Sequence, residues 1–151
     1  HPIDRLLDGL HRDPGEGEHA RLTPAIQRIF GAPSVEEILE RLDKEQGQDE
    51  AWAKSTAAEI RKKSPTSLKV AFAQMRLGKT LTLAEALRLE FRLSSDIVAS
   101  PDYHEGITAR IAGKGAAPRW QPATLSDVDD AEIERLFATA PERELQLAER
   151  Q

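Results

Sequence analysis

Apolar residues recur along this chain at spacings of three and four, while runs that alternate apolar and polar one by one are scarce. A helix repeats about every 3.6 residues and a strand every two, so this pattern predicts helices that bury stripes rather than strands that bury pleated faces. Ile3, Leu6, Leu7 and Leu10 make the first stripe, ended by Asp13-Pro14-Gly15, where proline lacks an N–H and glycine favours a turn. Residues 12–19 read as a flexible link. Ala25, Ile26, Ile29 and Phe30 mark a second helical face, stopped by Gly31-Ala32-Pro33.

From Ser34 onward the starts of helices are written as capping signals. Ser34 with Glu37, and later Thr82 with Glu85, have the spacing in which a hydroxyl accepts a free backbone N–H and the carboxylate reaches back to the capping residue. Val35, Ile38, Leu39 and Leu42 follow the first box as an inward stripe. The polar stretch 43–50 separates them from a longer helix with Ala51, Trp52 and Ile60. Ser64-Pro65-Thr66, after Arg61-Lys62-Lys63, breaks that helix and opens another, with Leu68, Phe72, Met75 and Arg76, which runs to Leu77 and Gly78. The Thr82 box opens what should be the longest helix, through Leu83, Leu87, Phe91, Ile97 and Val98. Asp102 is placed to cap the next helix with Glu105 in its first turn, Ile107 and Ile111 on its packing side, and Gly113-Lys114-Gly115 at its end. Thr124 to Val128 lead into a last segment with Ile133, Leu136 and Phe137, and a charged tail follows Pro141. The expected fold class is all-α, divided into a helical and linker segment 1–30, a main helical region 31–137 and a charged tail 138–151. At 151 residues the chain can build one modest core, burying roughly two-thirds of its unfolded surface.

Charge and composition exclude several functions. A net charge of -5 argues against wholesale binding to nucleic acid, although a local basic patch could still hold a phosphorylated ligand. The absence of cysteine removes disulfides and thiolate chemistry. Neither a signal-peptide core nor a long apolar run is present, so a soluble, cytoplasmic protein without a membrane partner is expected. The chain opens on His1 rather than Met, which fits truncation, processing or trimming.

Chemistry-bearing constellations are thin. His1, His11, His19 and His104 are too far apart for a ligand motif, so no metal is expected. His104 sits in the first turn of the helix that leads to the basic loop. The carboxylate pairs Glu36/Glu37 and Asp129/Asp130 lack an apolar enclosure that would separate their pKa values, and read as solvated helix ends. Ser64 and Ser67 flank a proline turn without a matched base, which favours capping over nucleophilic attack. The better ligand candidates are Lys114, Arg119 and Trp120: two cations for phosphate oxygens and an indole for a flat ring. A basic helix end with Trp120 as a packing lid explains the same residues without a ligand.

The blocks Lys63-Ser64-Pro65-Thr66-Ser67-Leu68-Lys69-Val70, Leu87-Arg88-Leu89-Glu90-Phe91-Arg92-Leu93-Ser94 and Asp102-Tyr103-His104-Glu105-Gly106-Ile107-Thr108-Ala109-Arg110 resemble the C-terminal part of 3-hydroxyisobutyryl-CoA hydrolases. The likeness continues through Pro118-Arg119-Trp120-Gln121-Pro122-Ala123-Thr124-Leu125, and these hydrolases belong to the crotonase, or enoyl-CoA hydratase/isomerase, superfamily. The resemblance implies thioester hydrolysis on a branched hydroxyacyl-CoA in valine catabolism, within an α/β fold whose N-terminal spiral core carries the oxyanion hole and the acidic residues. No segment here matches that core, so no catalytic residue is assigned. The chain is expected to be the helical C-terminal portion, partnered by an N-terminal core as a missing segment or separate chain. Acyl-CoA is the expected substrate, with no separate cofactor, and a homo-oligomer the expected assembly. Lys114, Arg119 and Trp120 become possible contacts at the CoA edge. An enoyl-CoA hydratase and a noncatalytic helical interaction module are the alternatives.

Overall fold

A computed structural model describes residues 3–4, 9–10, 15, 17–111, 116–138 and 145–147. Helix α1 spans Glu18–Phe30, α2 Val35–Asp43, α3 Glu50–Arg61, α4 Pro65–Gly78, α5 Leu83–Ala99, α6 Pro101–Ile111 and α7 Asp130–Ala138, with short 3-10 turns at Gly47–Asp49 and Leu125–Asp127. No strand occurs among the described residues.

Of the two expected capping boxes, the one at Thr82 forms whole and the one at Ser34 by half, because the Glu37 carboxylate accepts from Arg41 instead of reaching back to the Ser34 N–H. Ser34 Oγ accepts the Glu37 N–H at 3.1 Å. At α5, Thr82 Oγ1 accepts the Glu85 N–H at 3.3 Å while Glu85 Oε2 accepts the Thr82 N–H at 2.7 Å, closing the reciprocal box. Two boundaries differ from expectation. Helix α1 begins at Glu18, inside the segment read as a link, and carries Pro24 within it. Its inward residues are Leu22, Ala25 and Ile29, whereas Phe30 is 40% exposed, so the stripe is rotated relative to the one read from the sequence. At α6 it is Ser100, not Asp102, whose Oγ accepts a first-turn N–H, that of Tyr103 at 3.3 Å. The Asp102 carboxylate is occupied by two donors from outside its helix, described below.

Two apolar clusters share the interior. Ile29, Ala32, Ile38, Leu39, Leu42, Ala53 and Ala57 join α1, α2 and α3, with Trp52, Ile60, Phe72 and Leu125 against them. Val70, Leu89, Leu93, Val128 and Ile133 join α4, α5 and α7. Helix α4 links the two, sending Phe72 to one and Val70 to the other. Lys69 fastens the same helix at its surface, its Nζ lying 2.7 Å from Asp130 Oδ1 and 3.3 Å from Glu36 Oε1, so that α2, α4 and α7 meet on one cation. The hydrogen bond that Lys69 donates to Asp130 and the charge of Glu36 raise its pKa above the ordinary lysine value, in line with a lysine that keeps its proton.

Candidate functional site

Three elements converge where α3 ends and α4 begins. Arg61 closes α3, Lys62 and Lys63 follow, and Ser64 caps α4 by accepting the Ser67 N–H at 3.2 Å, with Pro65 in the first turn where its missing N–H costs nothing. Helix α6 crosses this junction, and the chain returns over it as the segment 116–122. Both Ser64 and Asp102 are buried, and Ser64 donates its hydroxyl to Asp102 Oδ2 at 2.6 Å. Asp102 Oδ1 accepts the Gln121 N–H at 2.8 Å. One turn along α6, Glu105 Oε1 accepts the Arg119 N–H at 2.8 Å. Trp120 donates its indole N–H to the Lys62 carbonyl at 3.0 Å, covering an exposed acceptor at the end of α3. Its ring lies against Gly106: a Cβ there would meet Trp120 Cη2 at 3.1 Å, so only glycine admits this approach without a shift.

The ring forms one wall of a cleft of about 910 Å³. Gly106, Ala109, Ala116, Ala117 and Pro118 give it an apolar side, and Glu59, Arg61, Lys62, Lys63 and Arg110 a charged one. Positive groups outnumber Glu59 on that wall. Arg61 is held by both oxygens of Asp43, at 3.0 and 2.5 Å, which raises its pKa and lowers that of Asp43. Lys62 and Lys63 share Glu59, at 2.5 and 3.9 Å. Arg110 is exposed and has no acidic partner among the described residues. Such a surface can hold an anion beside a flat or apolar group through charge and stacking. Among the described residues, the side chains that line the cleft are charged, aromatic or small and apolar, a set suited to binding.

Of the residues singled out in the sequence, Trp120 lines this cleft. Arg119 lies beside it, over a smaller hollow of about 280 Å³ formed with Pro101, Asp102, Glu105 and Gln121, and its side chain is 91% exposed with Nε 3.8 Å from Glu105. Lys114 lies outside the described residues, as do His1, His11 and the expected helix end at 113–115. Ser64 acts as a cap and as a donor to Asp102, with Ser67 supplying the capped N–H. His104 is exposed and meets Tyr103 edge to face. No grouping of three metal-ligating side chains occurs among the described residues, and none of their helices is long and apolar enough to cross a membrane. Sequence reading passed over Arg61, Lys62, Lys63 and Arg110 as ligand candidates. The signal was the basic run directly before the Ser64-Pro65 break, because a run at a helix end faces whatever crosses that end.

Comparison with known proteins agrees with this architecture. The enoyl-CoA hydratase/isomerase family model matches residues 1–137. The chain is 39% identical over 125 residues to the mitochondrial 3-hydroxyisobutyryl-CoA hydrolase of Danio rerio, covering 83% of this chain and 32% of that protein. It is 33% identical over 133 residues to small ribosomal subunit protein mS47 of Neurospora crassa, covering 83% and 26%. A carnitinyl-CoA dehydratase from Mycobacterium thermoresistibile superposes with a TM-score of 0.79 at 29% identity, over 89% of this chain and 38% of that one. The chain thus spans about a third of the length of the curated relatives it matches. The family match over 137 residues, joined to an all-helical arrangement shared with a solved acyl-CoA enzyme, establishes that this chain belongs to the enoyl-CoA hydratase/isomerase family.

Proposed function

We propose that this chain is the helical portion of a 3-hydroxyisobutyryl-CoA hydrolase-like enzyme, supplying packing and assembly surfaces and an edge of the CoA site for thioester hydrolysis. The observation that carries this reading is the 39% identity to such a hydrolase over 83% of the chain. Water attacks the thioester carbonyl, the oxyanion is held by backbone N–H groups, and the CoA thiol leaves; those groups belong to the strand-bearing core expected from the resemblance. The part played here is to hold CoA phosphate oxygens on Lys62, Lys63 and Arg110, with Trp120 as the flat wall. Arg119 is a further candidate at the rim, and Lys114 belongs to the same proposal on sequence alone. Leu83, Leu87, Phe91, Val98, Tyr103, Ile107 and Ile111 are each at least 38% exposed, which suits a surface covered by the core or by another copy of the chain.

The test is hydrolysis of 3-hydroxyisobutyryl-CoA, followed by thiol release, for the full native polypeptide and for residues 1–151 alone. Turnover by the former and none by the latter is expected; robust turnover by residues 1–151 contradicts it. Hydration of a short enoyl-CoA in place of hydrolysis would select the hydratase alternative. The noncatalytic reading gains support from the mS47 relatives, and its signature is co-sedimentation with small ribosomal subunits in the absence of thioesterase activity. The cytoplasmic location expected from the sequence differs from the mitochondrial one in the hydrolase relative's name, and fractionation of the source cells decides between them.

A further inference from the structure

The cleft reading leaves the buried carboxylate of Asp102 without a part, and its surroundings point to one. Asp102 is 7% exposed and both its oxygens are engaged, Oδ2 by the Ser64 hydroxyl at 2.6 Å and Oδ1 by the Gln121 N–H at 2.8 Å. Ser64 at the same time accepts the Ser67 N–H, so carboxylate, hydroxyl and the start of α4 form one continuous run of hydrogen bonds. Gln121 is the residue after Trp120, whose N–H is fixed on Lys62 and whose ring rests on Gly106. The backbone at Arg119, on the other side, is fixed by Glu105. Residues 119–121 are therefore pinned one after another to α6 and to the end of α3, and only the Asp102 anchor is buried.

We propose that Asp102 is a positioning residue: through Gln121 it holds Trp120 as the preformed wall of the basic cleft, so that ligand meets a built site rather than ordering a loose loop. This rests on the reading of the cleft as the CoA edge. A role as proton donor or base fits less well, because Asp102 does not line that cleft and neither oxygen is left without a protein donor. Removing the carboxylate would strand two donors, Ser64 Oγ–H and Gln121 N–H, and the segment would detach to find water for them.

The experiment uses the full native polypeptide carrying Trp52→Phe, which leaves Trp120 as the reporter within this segment, and coenzyme A as the probe. In Asp102→Ala, Trp120 emission should move to the red, the Gln121 amide should exchange faster, and CoA affinity should fall about tenfold with far-UV helicity retained. Asp102→Asn should recover most of each change, since its amide oxygen can accept from Gln121, the bond that holds residues 119–121, while its NH₂ donates to Ser64 Oγ and only the Ser64 hydroxyl proton has to find another acceptor. A catalytic carboxylate would not be rescued by asparagine. Should Asp102→Ala fail to fold, Asp102→Ser keeps a hydroxyl in the site without spanning both partners and gives the same comparison. Unchanged emission and exchange in the folded variant overturn the proposal. A loosened segment with unchanged CoA affinity also overturns it. In that case Lys62→Ala/Arg110→Ala tells which idea failed: weakened CoA binding keeps the cleft as the CoA edge and removes only Asp102's part, and unchanged binding removes the cleft reading itself.

Discussion

At the scale of single residues, the sharpest constraint is the contact between Gly106 and Trp120. Alanine at 106 is favoured by helix propensity by about 1 kcal/mol, yet its Cβ would stand 3.1 Å from Cη2 and 3.4 Å from Cζ3 of the indole. Gly106→Ala should therefore leave chemical stability within about 1 kcal/mol of the native value. Its Trp120 emission should shift and its CoA affinity fall, as read by fluorescence and titration calorimetry. Leu42 tests the core by contrast. It is 0% exposed in the cluster of α1, α2 and α3, and Leu42→Ala should lose about 2–5 kcal/mol in urea unfolding. Both outcomes differ in legibility. Leu42 belonged to a stripe visible at helical spacing, so its burial could be read directly. The work of Asp102 could not be, because its partner Ser64 lies 38 residues away and local capping rules offered the nearer explanation.

Among the elements, α5 shows how local signals carry through to a testable pH response. Its capping box lowers the pKa of Glu85, first through the Thr82 backbone N–H and then through the Thr82 hydroxyl. A carboxylate whose pKa is lower when folded stabilises the fold above its unfolded value, and that contribution is lost as pH falls through the lowered folded value. Glu40, Glu50 and Glu59, lowered mainly by their hydrogen bonds to Lys44, Lys54 and Lys62, act in the same direction. The thermal midpoint should hold steady near neutrality and decline as pH drops below about 4.3, with a shallower decline in Glu85→Gln, which keeps an acceptor but does not titrate. An identical acid slope in that variant would remove the capping-box contribution. Lys69 gives the opposite sign: its pKa is raised, so its tie to Asp130 and Glu36 is present at neutral pH and lost only as pH rises through that raised value. Element starts were legible because caps are local chemistry. The early start of α1 was not, since Pro24 and the polar residues before it argue against helix while Leu22, 2% exposed, is what the core requires.

For the whole molecule, two clusters bridged by α4 set a junction of α3, α4, α6 and the returning segment 116–122, and the cleft exists only there. Helical character throughout was legible, as period is a property of short windows. The cleft was not, because Lys62 and Arg110 are brought together by tertiary packing between helices that no local pattern links. The family match makes the acyl-CoA reading specific enough to measure. Each charged contact to a phosphate is worth about 1.5 kcal/mol, roughly a tenfold change in binding, and a contact made equally in ground and transition states alters KM rather than kcat. The most direct measurement is the steady-state hydrolysis of 3-hydroxyisobutyryl-CoA by the full native polypeptide and its Lys62→Ala/Arg110→Ala variant. A KM raised at least tenfold with kcat little changed is the predicted result; no hydrolysis by the native polypeptide, or an unaltered KM in the variant, would contradict it.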